Sequence, residues 1–429
     1  MFGRQYSGQW TEQSVSIVPV TGGTLSHFCG FHDIRPWSPS GKYLLALETE
    51  ESERLPGADD KATVGIVDLA QNSQEFIPIA ETFAWNWHVG SRQQWLGDDR
   101  IIYNDTRDGQ HVAVIRDIGS DSETVINCGV WTISPDRRWG IAPSFARLRQ
   151  YYDKYGFAGG TAPSLSDHAP ADDGLYLVDL EAGTTKLLFS IAEIASSRYG
   201  DGPEAPRGPF WITHPTFNPD GSGFTFYLRR RLADGYLYSD FFYADRDGKS
   251  VKFLLNDLVS HYDWLDPSHV VIWTRQNRML SNFRQGAVLK NSAIMGLFKG
   301  IRKFKRRMGG KFKAGSFRLV NVHTGEHSSF GGQVLEQDGH NMFSPDRKWM
   351  ICDTYPSKSS ERTLYLFHLE SGKRVDVGRL PTTQRLLDSP ASCDLHPRWN
   401  GTGTEVCVDS AQGDTRQIYV ANVEEVVSG

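Results

Sequence analysis

Residues 338–356 display a pattern that recurs along the whole chain. A histidine (His340) is followed three residues later by an aromatic (Phe343), then a Ser344, Pro345, Asp346 turn, then an apolar run from Trp349 to Cys352. Physically this is a short strand, a tight turn in which proline pre-sets φ and aspartate bonds the backbone, and a second strand. The succession occurs seven times, keyed by Trp37, Trp95, Ile133, Phe217, Trp264, Phe343 and Trp399 ahead of their turns. A second pattern, an alternating strand followed by a turn, lies between these hairpins at residues 64–69, 112–117, 175–180, 241–245, 317–322, 364–369 and 418–423. Each repeat therefore predicts about four strands, and the period-2 alternation predicts that each is half buried. Four-stranded antiparallel units repeated radially make a β-propeller.

The last repeat stops after its third strand, at Val423, whereas residues 14–20 form a strand without a unit of their own. Pairing the two completes the last blade and leaves no open edge. The expected fold is all-β: a seven-bladed β-propeller of four-stranded antiparallel blades, one domain over residues 1–429, with the ring closed by the N-terminal strand. Length beyond what the strands need falls into insertions near residues 147–173, 190–210 and 291–313. The first is rich in Tyr, Gly and Pro, the composition of a functional loop carried on a rigid scaffold. The second opens with a short helical segment at 190–195. The third sets Ile294, Leu297, Phe298, Ile301 and Phe304 at helical spacing against a dense Lys/Arg face. A basic amphipathic helix over 291–307 is suited to peripheral contact with an anionic membrane, and equally to lying on a blade as a solvated surface helix.

Composition narrows the function classes. At 39% hydrophobic residues the chain buries a proper core, and its 12 Trp, 16 Tyr, 23 Phe and 42 Gly favour strands and turns. A net charge of -5 over 429 residues argues against a nucleic-acid binder. No apolar run has the length of a signal peptide core or a membrane span. Five cysteines without CxxC spacing argue against a disulfide framework, so a cytoplasmic location is expected. P-loop, dinucleotide and Gly-x-Ser-x-Gly motifs are absent from the sequence.

The candidate chemistry comes from the position three residues before each key residue: Ile34, Arg92, Val130, His214, His261, His340 and His396. Innermost strands of a propeller line its channel, so four histidines from consecutive blades converge at one mouth. Taken singly, each histidine is better explained by a hydrogen bond to the neighbouring blade; the four together favour a site. Asp394 precedes His396 by two residues, which on a strand points both side chains to one face. His32 and Asp33 precede the first turn. A His/Asp/His set suits a divalent cation such as Mn²⁺, Zn²⁺ or Ca²⁺, with imidazole favouring the transition metals. Arg229 follows a strand and is a candidate anion partner. His32, Arg35, Tyr151, Tyr152 and Tyr155 are candidate substrate contacts.

The repeats with Ser-Pro-Asp turns resemble TolB-type propellers, and the histidine pattern resembles the oligogalacturonate lyase group of polysaccharide lyases. Gly339 and His340 ahead of Phe343 to Asp346, and Asp394, Leu395, His396 and Pro397 ahead of Trp399, carry the likeness. The chain departs from that group by holding Asp394 where it has a histidine and Ala391 where it has a glutamine. The resemblance implies a cytoplasmic enzyme acting on an anionic oligo- or polysaccharide, with Mn²⁺ foremost on His340, Asp394 and His396. It implies β-elimination at a 4-linked hexuronate, with His261 or His214 as the base and Arg92 or Arg229 clamping the carboxylate. Two other readings stay open. A glycoside hydrolase needs a facing carboxylate pair, for which Asp33, Asp394 and Asp263 are available. A non-catalytic propeller that binds a glycan or a protein needs neither.

Overall fold

The computed structural model describes residues 9–70, 74–202, 205–206, 208–232, 235–275, 315–356, 359–387, 389–413 and 415–429. Seven blades surround a channel. In blade 1, Ser26–Phe28 is innermost and Phe76–Thr82 outermost; blade 2 runs from Gln94–Trp95 to Glu123–Ile126 and blade 3 from Thr132–Ile133 to Thr184–Ser190. Blades 4 and 5 are hydrogen-bonded into one seven-stranded sheet, because the 16-residue strand Val251–Asp266 is the outer strand of one and then the inner strand of the next. Blade 6 begins at Met342–Phe343 and blade 7 at Arg398–Trp399.

The ring closes as expected. Ile17–Pro19 pairs antiparallel with Gln417–Asn422, in the register Ile17 to Ala421, and supplies the outer strand of blade 7. Before reaching that place the chain also lays Trp10–Glu12 in parallel on Arg374–Pro381, giving blade 6 a fifth strand that the repeats do not announce. The N-terminal segment thus ties blade 6 to blade 7.

Half-burial of every strand is corrected by the radial stacking. Leu44, Leu45, Ala46 and Leu47 in the second strand of blade 1 are all buried, as are eight of the nine residues of Gly223–Arg231. Neighbouring blades cover both faces of inner and middle strands, and only outer strands such as Glu123–Ile126 and His327–Ser329 turn a face to solvent.

The recurring turns also join the blades. In two of them Ser134 Oγ and Ser344 Oγ accept from the backbone N–H of Trp139 and Trp349, each at 3.0 Å, which sets the hairpin. Arg137 and Arg347 occupy the left-handed residue of the turn, φ 61° and 59°, and donate to Leu96 O and Trp264 O of the blade before. The key indoles do likewise: Trp95, Trp264 and Trp399 donate to Pro36 O, Thr216 O and Met342 O. Spacing that reads as hairpin grammar in the sequence is also the stitching between blades.

The first insertion is ordered. Ser144 caps the helix Phe145–Tyr151, and a 3-10 turn Asp153–Tyr155 follows. Arg147, fully buried, pairs with Asp173 at 2.9 Å and donates to three backbone carbonyls, while Asn86 Nδ2 holds Asp153 O and Gly156 O at 3.0 Å each. The second insertion carries the helix Ile191–Tyr199, begun by a capping box of Ser190 and Glu193. The basic segment 291–307 lies outside the described residues. No helix among the described residues is long and apolar enough to cross a membrane.

Candidate active site

Residues that lead into the inner strands meet at one mouth of the channel. His261 and His340 have ring centroids 4.0 Å apart, His340 and His396 4.4 Å, and His32 lies 5.2 Å from His340. Phe31, which the sequence reading missed, stands among them, 4.9 Å from His214 and 5.0 Å from His396. His214 and His396 both precede proline, yet both hold a left-handed backbone, φ 55° and 45°, a conformation that costs free energy for a side chain of this size. Arg92 does the same at the equivalent place in blade 2, φ 56°. The alternation rule for Asp394 and His396 does not apply, because the inner strand begins only at Arg398. Irregular backbone brings them together instead.

His340, Asp394 and His396 each place one ligand atom within 4.8 Å of the others. Their supports decide which atoms those are. His340 Nδ1 is 3.0 Å from both oxygens of Asp353, and His396 Nδ1 is 2.9 Å from Gly30 O, so each ring directs Nε2 inward. The Nε2 of His396 is buried and without a hydrogen-bond partner among the described residues. Arg362, also buried, lies 2.9 Å from one oxygen of Asp394, and His88 Nδ1 lies 3.9 Å from the other. Inward lone pairs on imidazoles whose far nitrogen is anchored are the arrangement metal-binding histidines adopt, so these residues fit a divalent cation.

Beside this trio is a cavity of about 90 Å³ lined by His32, Tyr152, Tyr155, Arg229, His261 and Tyr355, with Phe31, Asp33 and His214 also on its wall. His261 Nδ1 is 3.1 Å from Asp338, which leaves Nε2 for chemistry. Arg229 is 4% exposed, and among the described residues its Nε has no hydrogen-bond partner and no carboxylate pairs with it. It lies instead over the rings of Tyr227 and Tyr152, at 4.4 and 5.2 Å. A buried cation facing a cavity without its own anion is poised for an anionic ligand.

The charge states follow from burial and neighbours. Burial and then Arg229 push the His214 imidazole well below its ordinary value; burial and then His340 do the same for His32 and His396. His261 is lowered by burial and His340, against Asp338. Burial lowers His340, but Asp353 foremost, with Asp394 and Asp338, together outweigh it and leave the imidazole raised. Burial raises Asp394, but Arg362 and then His340 outweigh it and hold the carboxyl below the usual range.

Other expected site residues are placed differently. Arg92 is not on the cavity wall: its guanidinium grips both oxygens of Asp33 at 2.7 and 2.9 Å, and its Nε donates to Trp131 O at 2.7 Å. Arg35 is exposed, donates to Trp399 O at 3.2 Å, and does not line the cavity. Tyr151 packs on Trp211 and donates to Leu165 O, away from the cavity, whereas Tyr152 and Tyr155 stack on each other at its wall, 4.7 Å apart. The acids a hydrolase would need are all engaged. Asp33 is held by Arg92, Asp394 by Arg362, and Asp263 accepts from the N–H of Phe343 and Trp264 outside the cavity. Asp338, Asp353, Arg362 and His88 were missed by the sequence reading, although Asp338 stands two residues before His340 and is the one a search around the histidines could have found.

Fold and site together define a seven-bladed propeller with a histidine-rich, partly cationic cavity at one channel mouth. Among solved structures the chain is similar to an oligogalacturonate lyase in complex with manganese, at TM-score 0.64 and 15% identity, covering 98% of this chain and 96% of that one. It is also similar to the oligogalacturonate lyase of Vibrio parahaemolyticus, at TM-score 0.61 and 14% identity, with 96% and 94% covered. The tricorn protease aligns at TM-score 0.52 and 11% identity over 97% of this chain but 34% of its own. At these identities the likeness is one of fold. No protein-family model and no curated protein matches the chain.

Proposed function

We propose that the protein is a polysaccharide or oligosaccharide lyase that cleaves a uronic-acid-containing glycan by β-elimination. One observation carries the reading: the carboxylate-free Arg229 and the Asp338-backed His261 share one cavity beside the His340, Asp394 and His396 trio. The propeller likeness to oligogalacturonate lyases supports it.

Elimination at a 4-linked hexuronate needs the proton on C5 removed while the oxygen at C4 departs. Arg229 binds the C6 carboxylate and stabilises the negative charge that spreads onto it as C5 loses its proton. His261 takes that proton on Nε2; Asp338 holds the ring by Nδ1 and stabilises the imidazolium that forms. The C5–H electron pair becomes the C4=C5 double bond, the C4–O bond breaks with its electron pair on the departing oxygen, and that oxygen leaves as a hydroxyl by taking the proton held on His261 Nε2. A divalent cation held by His340, Asp394 and His396, with Mn²⁺ the first choice, would supply further positive charge against the carboxylate. Tyr152, Tyr155 and Phe31 keep water from the acidified carbon.

The test is metal content together with ultraviolet absorbance of the unsaturated product on a panel of uronate oligosaccharides. The parent is expected to bind one divalent cation and raise absorbance, and His340→Ala/His396→Ala to lose both. Absence of rising absorbance on every uronate tried, with the metal bound, contradicts the proposal.

A further inference from the structure

Tyr355 is the feature of the cavity that the mechanism leaves unused. It follows the strand Trp349–Asp353 of blade 6, lines the cavity, and faces His261 and His340 with ring centroids 6.2 and 6.0 Å away. It is nevertheless 47% exposed, and its hydroxyl makes no hydrogen bond to any described residue. Only one other aromatic among the described residues is as open, Trp10 on the edge of blade 6, and that ring is covered on one side by Arg374.

The tyrosines of the insertion differ. Tyr155 is stacked between Tyr152 and His88, and Tyr152 lies between Tyr155 and Arg229. Tyr151 is spent on Trp211 and Leu165 O. Their faces are used by the protein, so they form a wall. Tyr355 has the His261 and His340 rings tilted beside it and leaves nearly half of its surface open at the mouth. An uncovered aromatic beside a polar, cationic cavity matches a pyranose ring, whose axial C–H bonds give one face an apolar surface while its hydroxyls stay in water.

We propose that Tyr355 is the stacking platform for a second sugar ring, the one joined to the uronate held in the cavity. The site then takes glycans of at least two rings and discriminates against single uronates. This inference rests on the lyase reading only for the identity of the ring in the cavity.

The experiment compares the parent, Tyr355→Ala and Tyr355→Phe by two readouts. The first is KM and kcat by product absorbance on a uronate disaccharide and on a one-ring uronate bearing a methyl ether at O4. The second is equilibrium binding of digalacturonate and of galacturonate, which needs no turnover. Tyr355→Ala is expected to raise KM and Kd for the two-ring ligand about tenfold and for the one-ring ligand by a clearly smaller factor, with Tyr355→Phe restoring most of the difference. Equal loss on both ligands, loss of kcat in Tyr355→Phe as in Tyr355→Ala, or no change in either variant overturns the platform. If the parent produces no absorbance but Tyr355→Ala selectively weakens digalacturonate binding, the lyase reading fails and the platform stands. If the parent binds neither sugar, both fail.

Discussion

His340 Nδ1 lies 3.0 Å from each carboxylate oxygen of Asp353, and the same aspartate accepts the backbone N–H of His340 at 2.8 Å. The pair joins the entry of blade 6 to the end of its second strand and fixes both the tautomer and the orientation of the ring. Asp353→Asn weakens this grip without emptying the space. It is expected to lower divalent metal affinity roughly 10- to 100-fold with the fold retained, as measured by metal titration beside circular dichroism.

The two arginines at the site have opposite jobs. Arg92 is fully buried and bidentate on Asp33, so Arg92→Met leaves a largely buried carboxylate with only the Trp131 indole as a side-chain partner and is expected to cost about 3 kcal/mol of stability. Arg229 has no carboxylate to abandon among the described residues, so Arg229→Met is expected to leave stability within about 1 kcal/mol of the parent while lowering kcat/KM by about 10²-fold or more. Denaturant unfolding and product absorbance on both variants separate the roles.

Arg147 and Asp173, buried at 2.9 Å, hold the insertion that carries Tyr152 and Tyr155. Arg147→Met is expected to destabilise the protein by about 3–5 kcal/mol and to expose the 145–173 segment to limited proteolysis before the blades are cut. Cleavage beginning in a blade instead would contradict the anchoring role.

His111 donates from Nε2 to Ala158 O at 3.1 Å, and burial lowers its imidazole below the ordinary value despite that bond. The native state therefore binds fewer protons than the unfolded chain below the unfolded pKa of about 6.5. The contribution of neutral His111 is present above that pH and is lost as pH falls through the lowered native value, by at most about 1.4 kcal/mol per pH unit. The stability gap between the parent and His111→Asn should narrow from pH 7 to pH 5 in urea unfolding; a constant gap would contradict this assignment.

Much of the ring was legible because its information is local. A short turn, with Pro or Asp in six of the seven repeats and Asn400 to Gly403 in the last, fixes each hairpin within about four residues, and a key residue, aromatic in all but Ile133, recurs at one place in each repeat. The strand shared by blades 4 and 5 was hidden, since Val251–Asp266 carries no turn where one blade becomes the next. The fifth strand of blade 6 was hidden because Trp10–Glu12 is short and exposed. At the site, repeat position brought out His214, His261, His340 and His396. It could not tell Arg92 from Arg229, because the partner that engages Arg92 is Asp33, 59 residues earlier. Nor could it show Arg362 beside Asp394, a contact between neighbouring blades, or Gly30 O behind His396, which exists only once the ring closes.

His261 is the proposed base of the elimination. The most direct measurement follows absorbance of the unsaturated product and new reducing ends together, for the parent and His261→Ala, on a saturated uronate oligosaccharide with divalent metal present. Both signals are expected to rise in step in the parent, and His261→Ala to lose about 10²- to 10⁴-fold in rate while still binding the oligosaccharide. Reducing ends that appear without absorbance, or a His261→Ala variant as fast as the parent, would contradict that proposal.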